Sequence, residues 1–136
     1  MDPADAREFV RNQPHAVLAT CRADGRPQLS PVVVAVDPEG HITISSRERA
    51  YKVRNIRRDP HVSVCVLADG FFGPWVQIDG TAGVLSLPDA MEPLVEYYRG
   101  TAGEHPDWNE YRAAMVRDQR VLVRVTIERA GPDKSA

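Results

Sequence analysis

Two prolines set the first constraint on what this chain can become. Pro27 and Pro31 head the run P-Q-L-S-P-V-V-V-A-V, Pro27 to Val36, whose second half is apolar and β-branched. Proline has no amide hydrogen to give to a ladder. The first half of this strand must therefore lie at an edge, carry a bulge or stay unpaired, whereas the second half reads as a central strand. Backbone groups left free along Pro27, Gln28, Leu29 and Ser30 are open to a planar ligand.

The neighbouring segments supply partners for that strand. H-A-V-L-A-T-C-R, His15 to Arg22, leads into it through the Gly-containing hairpin turn A-D-G-R. The turn D-P-E-G at Asp37 to Gly40 leads out of it, into the alternating run H-I-T-I-S. Three more strands follow: His61 to Leu67, Trp75 to Leu85 and Arg120 to Glu128. Gly80 and Gly83 suit the kind of bend that barrels use at corners. Six short strands joined mostly by tight turns predict an antiparallel sheet closed into a small barrel.

Helices punctuate the strands. One is expected at Ala4 to Asn12, with Asp2 as its cap and Pro3 in first position. Another spans Pro88 to Arg99, ended by Gly100. The last runs from Pro106 to Arg117, with Trp108, Tyr111 and Met115 as a core stripe. The last two helices should cover an open end of the barrel. The tail from Gly131 is expected to fray. At 136 residues, positions 1–136 form a single domain of mostly β, α+β class.

The chemistry concentrates between Arg47 and Pro60, R-E-R-A-Y-K-V-R-N-I-R-R-D-P, with six cations against two acids. This stretch reads as a short helix: Val53 and Ile56 share a face, Lys52 and Asn55 share another, and Pro60 stops it. Ser45 and Ser46 stand just upstream, near its start, which predicts a phosphate site. The chain as a whole carries net charge −2, with pI near 6.1. A cationic island in an acidic chain implies a specific anionic ligand and argues against nucleic acid as partner.

Other classes find no support. No apolar run reaches membrane-spanning length, and M-D-P-A-D-A-R-E lacks the basic-then-apolar order of a secretion signal, which predicts a cytoplasmic protein. Cys21 and Cys65 lie far apart in strand-like segments and read as reduced thiols. His15, His41, His61 and His105 are scattered, without metal-ligand spacing.

With these residues in view, a family likeness emerges. H-A-V-L-A-T-C-R-A-D-G-R-P-Q-L-S-P-V resembles the first hairpin of the pyridoxamine 5′-phosphate oxidase-like split β-barrel proteins. S-S-R-E-R-A-Y-K-V-R-N-I-R-R-D-P-H-V-S-V resembles their cofactor-phosphate segment, and W-V-Q-I-D-G-T-A the strand after it. Y-Y-R-G-T-A-G-E-H-P-D-W-N-E-Y-R-A-A-M-V resembles the actinobacterial deazaflavin-dependent reductases, which use coenzyme F420. The resemblance implies a six-stranded antiparallel split β-barrel, FMN-binding-like, in a homodimer with two cofactor sites at the interface. It implies an F420-dependent oxidoreductase acting on a small-molecule substrate, with an FMN-binding oxidase or flavin reductase as the alternative. The deazaflavin ring would lie along Pro27–Gln28–Leu29–Ser30. Ser45, Ser46, Lys52 and Asn55 would hold the ribityl chain, the phosphate and the start of the acidic tail. Trp75 would come from the neighbouring subunit. Relatives often place a basic residue two positions before the lysine; here Ala50 occupies that position and Arg49 precedes it, about 100° away around a helix. Arg49 is assigned to the phosphate or tail on the strength of its length. No catalytic residue and no metal ligand is assigned.

Overall fold

A computed structural model describes residues 1–132; of the tail expected to fray, positions 133–136 lie outside the described residues. The chain runs α1 (Pro3–Asn12), β1 (His15–Cys21), β2 (Pro27–Val33), β3 (Ala35–Val36), β4 (Ile42–Arg47) and α2 (Tyr51–Arg58). It continues through β5 (His61–Leu67), β6 (Trp75–Leu85), α3 (Met91–Ala102), α4 (Trp108–Arg117) and β7 (Arg120–Gly131). All strands pair antiparallel in one sheet of order β2-β1-β5-β6-β7-β4-β3.

That order closes the sheet on itself. β2 and β3 are opposite margins, yet only Val34 separates them in the chain. The sheet must curl until its margins meet. At Val34 the backbone N–H leaves the ladder and donates to the Pro14 carbonyl at 2.7 Å. The expected six strands are therefore seven. The half of the proline-headed run read as a central strand is instead broken at Val34, and Ala35–Val36 pairs only with β4. The β-branched run fits both uses, and only the curl chooses between them. Pro27 and Pro31 occupy an edge strand, where a missing amide hydrogen is harmless.

The barrel interior is aliphatic. Leu18, Ile42, Ile44, Val64, Val76, Ile78 and Val125 are each no more than 1% exposed. Each such side chain contributes about 1.5–3 kcal/mol by leaving water. β1, β5 and β6 alternate buried with half-buried or exposed positions, so each strand has one face in this core. A bulge between Asp79 and Gly80 bends β6 against β7. A Cβ at Gly80 would collide with the Thr126 carbonyl oxygen and reach within 2.8 Å of Val125 Cγ1.

Helix ends follow local chemistry. Asp2 caps α1 by accepting from the Ala4 N–H at 2.8 Å. Asp107 caps α4 through the Glu110 N–H. α3 runs past Gly100, the expected stop, and ends at Gly103, whose φ of 80° suits glycine. α3 and α4 join β7 in a second core of Ala90, Leu94, Val95, Tyr111, Met115 and Leu122. Among the described residues no helix is long and apolar enough to cross a membrane.

Candidate functional site

The curl that brings the sheet margins together leaves a split, and a cavity of about 680 Å³ occupies it. Pro31, Val32 and Val33 of the free β2 edge form one wall. Tyr97 and Tyr98 of α3, with Tyr111 and Met115 of α4, form another. Ser45 of β4, Lys52 of α2 and Arg120 of β7 make the polar part. The Tyr97 hydroxyl donates to the Val33 carbonyl at 2.9 Å and meets the Ser45 amide, so one phenol ties the β2 margin to β4. Burial pushes the Tyr97 and Tyr111 phenols up, Tyr111 to about 12. Tyr111 donates to the Leu94 carbonyl at 2.8 Å, which fixes its ring in the wall.

Electrostatically the cavity is one-sided. Among the described residues that line it there is no carboxylate. Burial pushes the Lys52 ammonium below its ordinary pKa, and the neighbouring Arg120 guanidinium pushes it further. Arg120 Nε is buried without a hydrogen-bond partner. Such a group costs about 1–3 kcal/mol, and more when charged. Two desolvated cations with no acid between them are complementary to an anion, which would relieve both at once. The residues present therefore fit the phosphorylated end of a redox cofactor. Further along, Tyr97, Tyr98, Tyr111, Met115 and Pro31 wall the cleft with largely apolar surface against which a planar ring can lie.

The sequence reading finds part of this site. Lys52 and Ser45, two of the residues singled out from the sequence, line the cavity. Ser45 and Ser46 are successive residues of β4, not neighbours of a helix start, and successive strand side chains point to opposite faces. Ser46 is turned away and only 3% exposed. α2 begins at Tyr51 with Ala50 as an uncapped N-cap, because the chain from Arg47 to Ala50 turns rather than coils. Val53 and Ile56 bury their shared face as anticipated.

Asn55 is 6% exposed and saturated by the protein itself. Its amide donates to Thr20 Oγ1 at 3.0 Å and to Gln28 Oε1 at 2.8 Å, while its oxygen accepts from Arg58 at 3.0 Å. It is a bracket that ties α2 to β1 and the β2 edge. Gln28 is held by that bracket, Leu29 is 64% exposed, and Pro27 and Ser30 share the same free edge. The cavity reaches β2 beyond them, at Pro31. Arg49 lines a separate pocket of about 430 Å³ with Ser86 and Gln119; Arg120 borders both. Trp75 begins β6 opposite Leu67 and does not line the main cavity. The surrounding arginines are partly engaged: Arg57 pairs with Glu48 at 2.7 Å and Arg58 donates to the Cys21 carbonyl.

Sequence reasoning missed Arg120. The signal available was an arginine at the start of the closing strand, in R-V-L-V-R. Its meaning depends on the β4–β7 pairing, which sets Arg120 opposite Arg47 and beside Lys52.

With the geometry in hand, comparisons with known proteins decide the family. A family model described as pyridoxamine 5′-phosphate oxidase matches residues 3–132. The chain belongs to that family. The chain is similar to an F420H2-dependent biliverdin reductase of Mycobacterium tuberculosis. The two are 29% identical over 126 residues, covering 92% of this chain and 83% of the relative. A conserved hypothetical protein of Mycobacterium tuberculosis superposes with TM-score 0.78 at 26% identity, over 100% of this chain and 92% of its own. A solved F420 reductase superposes with TM-score 0.68 at 22% identity, over 91% of this chain and 94% of its own, a likeness of fold.

Proposed function

We propose that this protein is an F420-dependent oxidoreductase that works on a small unsaturated substrate held in the same cleft. The observation that carries this reading is the Lys52–Arg120 pair, desolvated and without an acid, at the polar part of an otherwise apolar cavity. Similarity to an F420H2-dependent reductase supports it. When bound, the deazaflavin supplies two electrons as a hydride.

The chain's own residues supply placement. Lys52, Arg120 and the Ser45 hydroxyl hold the phosphate. Arg49, reached past Arg120, receives the acidic tail. The edge Pro27–Gln28–Leu29–Ser30 offers backbone groups and apolar surface to the ring. Asn55 acts behind it by fixing Gln28, and Ser46 supports β4 from the other face. Trp75 is assigned to the site of a second copy in a cytoplasmic homodimer. The 64% exposed Leu29 and the 79% and 97% exposed Phe71 and Phe72 favour a partner surface on this chain. Tyr98, Tyr111 and Met115 exclude water from the reacting region.

FMN is the second reading, because a single phosphate would satisfy the Lys52–Arg120 pair. Competitive titration of apo-protein with F420 and FMN separates the two. Preferred binding of F420, followed by oxidation of reduced F420 in the presence of enones or quinones, is the expected result. Tighter binding of FMN, or binding of neither, refutes the F420 reading.

A further inference from the structure

A second cavity, of about 660 Å³, meets the first at Tyr97, the one residue that lines both. Its floor is the β4–β7 ladder. There the register sets Thr43 directly opposite Arg124, and both line the cavity. Arg124 and Arg120 share one face of β7, four positions apart, so Arg124 stands about 13 Å along the strand from Arg120. Neither polar group of the Thr43–Arg124 rung is satisfied. Thr43 is 2% exposed, and its hydroxyl has no hydrogen-bond partner among the described residues. Arg124 Nε is buried without one, and no other N–H of this guanidinium is bonded among the described residues. The acid beside it, Asp37, stands 3.6 Å from Arg124 Nε, but its carboxylate is already taken. It accepts from the Glu39 and His41 amides at 3.0 and 2.8 Å and meets His41 Nδ1 at 2.9 Å. Asp37 balances the charge of Arg124 and leaves its donors open. Donors held away from water with nothing to accept from them are costly, which favours an acceptor brought by a ligand.

We infer that this cavity is a second binding site, for a small ammonium carboxylate of the amino-acid kind. The carboxylate takes the Thr43 hydroxyl and the Arg124 guanidinium. The ammonium end follows from the other charges of the lining. Arg11 and Arg99 are engaged by acids that do not line the cavity, Arg11 by Glu8 at 3.2 Å and Arg99 by Glu104 at 2.9 Å. Glu92 pairs with Arg112. Two carboxylates remain. Glu96 of α3 has no ion pair among the described residues, and Glu39 has only His41 Nδ1 at 3.9 Å. With Asp37 offsetting Arg124, the surplus is negative. A plain anion would be repelled by that surplus, and a plain cation would leave Thr43 and Arg124 unanswered. A molecule carrying both charges matches both ends. Val36, Pro93 and Leu122 give its carbon skeleton an apolar wall.

This site uses no cofactor contact, so it stands independently of the redox reading. Tyr97 separates the two cavities. Its hydroxyl is fixed on the Val33 carbonyl at 2.9 Å, which holds the ring in place as a partition. Occupants of the two cavities therefore bind side by side without displacing one another.

The experiment titrates the full, isotope-labelled chain with L-leucine and γ-aminobutyrate, and with butyrate and butylamine as single-charge compounds. Binding is read by NMR from backbone amide shifts and from the Arg124 Nε–H resonance. Expected is saturable binding of at least one ammonium carboxylate, with a Kd in the millimolar range or tighter, and binding of the single-charge compounds at least about tenfold weaker. The shifts should centre on Thr43 and Arg124 and persist in excess F420. Thr43→Val, which keeps the side-chain shape, should weaken binding about 3- to 10-fold, and Arg124→Met about tenfold or more. No saturable response to either ammonium carboxylate overturns the inference. So does butyrate or butylamine binding equally well, or loss of the shifts in excess F420. Should Arg124→Met fail to fold, Thr43→Val and the wild-type Arg124 resonance decide alone. Unchanged affinity in Thr43→Val, with an Arg124 resonance that does not move, refutes the site.

Discussion

Replacing Lys52 by methionine tests the site most directly, because it should move affinity and stability in different directions. The lysine ammonium is partly desolvated, stands beside Arg120 and has no carboxylate in its cavity. In the ligand-free protein it is a burden. Methionine keeps the length of the stem and removes both the desolvation and the repulsion on Arg120. Lys52→Met should therefore leave the urea midpoint unchanged or raise it. In the complex the same ammonium makes a charge-assisted hydrogen bond worth about 1.5–3 kcal/mol. At 1.4 kcal/mol per factor of ten, losing it weakens cofactor binding by about 10- to 100-fold. The pH dependence follows in sign. Because the folded pKa lies below the ordinary 10.5, the ammonium is charged in both folded and unfolded chains below that folded value, and its cost is then full. The cost fades as pH rises from the folded pKa towards 10.5. Cofactor affinity should correspondingly be greatest below the folded pKa and decline as pH rises through it, a decline absent from Lys52→Met. Fluorescence titration across pH, paired with urea unfolding without ligand, measures both. Affinity within about twofold of wild type would refute the assignment of the anion to this pair.

Three further outcomes are expected. Gly80→Ala should cost at least about 3 kcal/mol in urea unfolding, since its Cβ meets the Thr126 backbone and Val125, whereas Gly83→Ala, with open space around it, should stay within about 0.5 kcal/mol of wild type. Asn55→Ala should lower stability by about 1–3 kcal/mol, because it strands the Thr20 hydroxyl and the Gln28 carbonyl, and hydrogen exchange along β2 should rise with it. Tyr111 should titrate near pH 12 in ultraviolet difference spectra, and its contribution to stability, complete below the ordinary 10, should disappear as pH climbs from there through about 12; Tyr111→Phe should flatten that loss.

Much of the fold was legible in the chain. The alternation of His61–Leu67 and Trp75–Leu85, the hairpin at Ala23–Arg26 and the turn at Asp37–Gly40 are local signals, and the structure bears them out. Gly25 and Gly40 have φ of 86° and 88°, as glycines at such turns do. The break at Val34 was not legible, because V-V-V-A-V carries the same β propensity whether it forms one strand or two. Around the site, Lys52 could be picked out by charge and helical spacing. Asn55 could not be separated from a ligand contact, because its saturation by Thr20, Gln28 and Arg58 joins three elements distant in sequence.

What the residues decided unaided is most of the elements and where positive charge gathers. Strand periodicity, prolines that must sit at an edge, and a knot of positive charge in an acidic chain are properties of short stretches. What the folded molecule alone decided is which cations are buried together. Lys52 and Arg120 meet because β4 pairs with β7 and the sheet margins close at Val34. Desolvation and mutual repulsion arise only from that meeting, since the energy of a charge is set by what surrounds it rather than by its place in the chain.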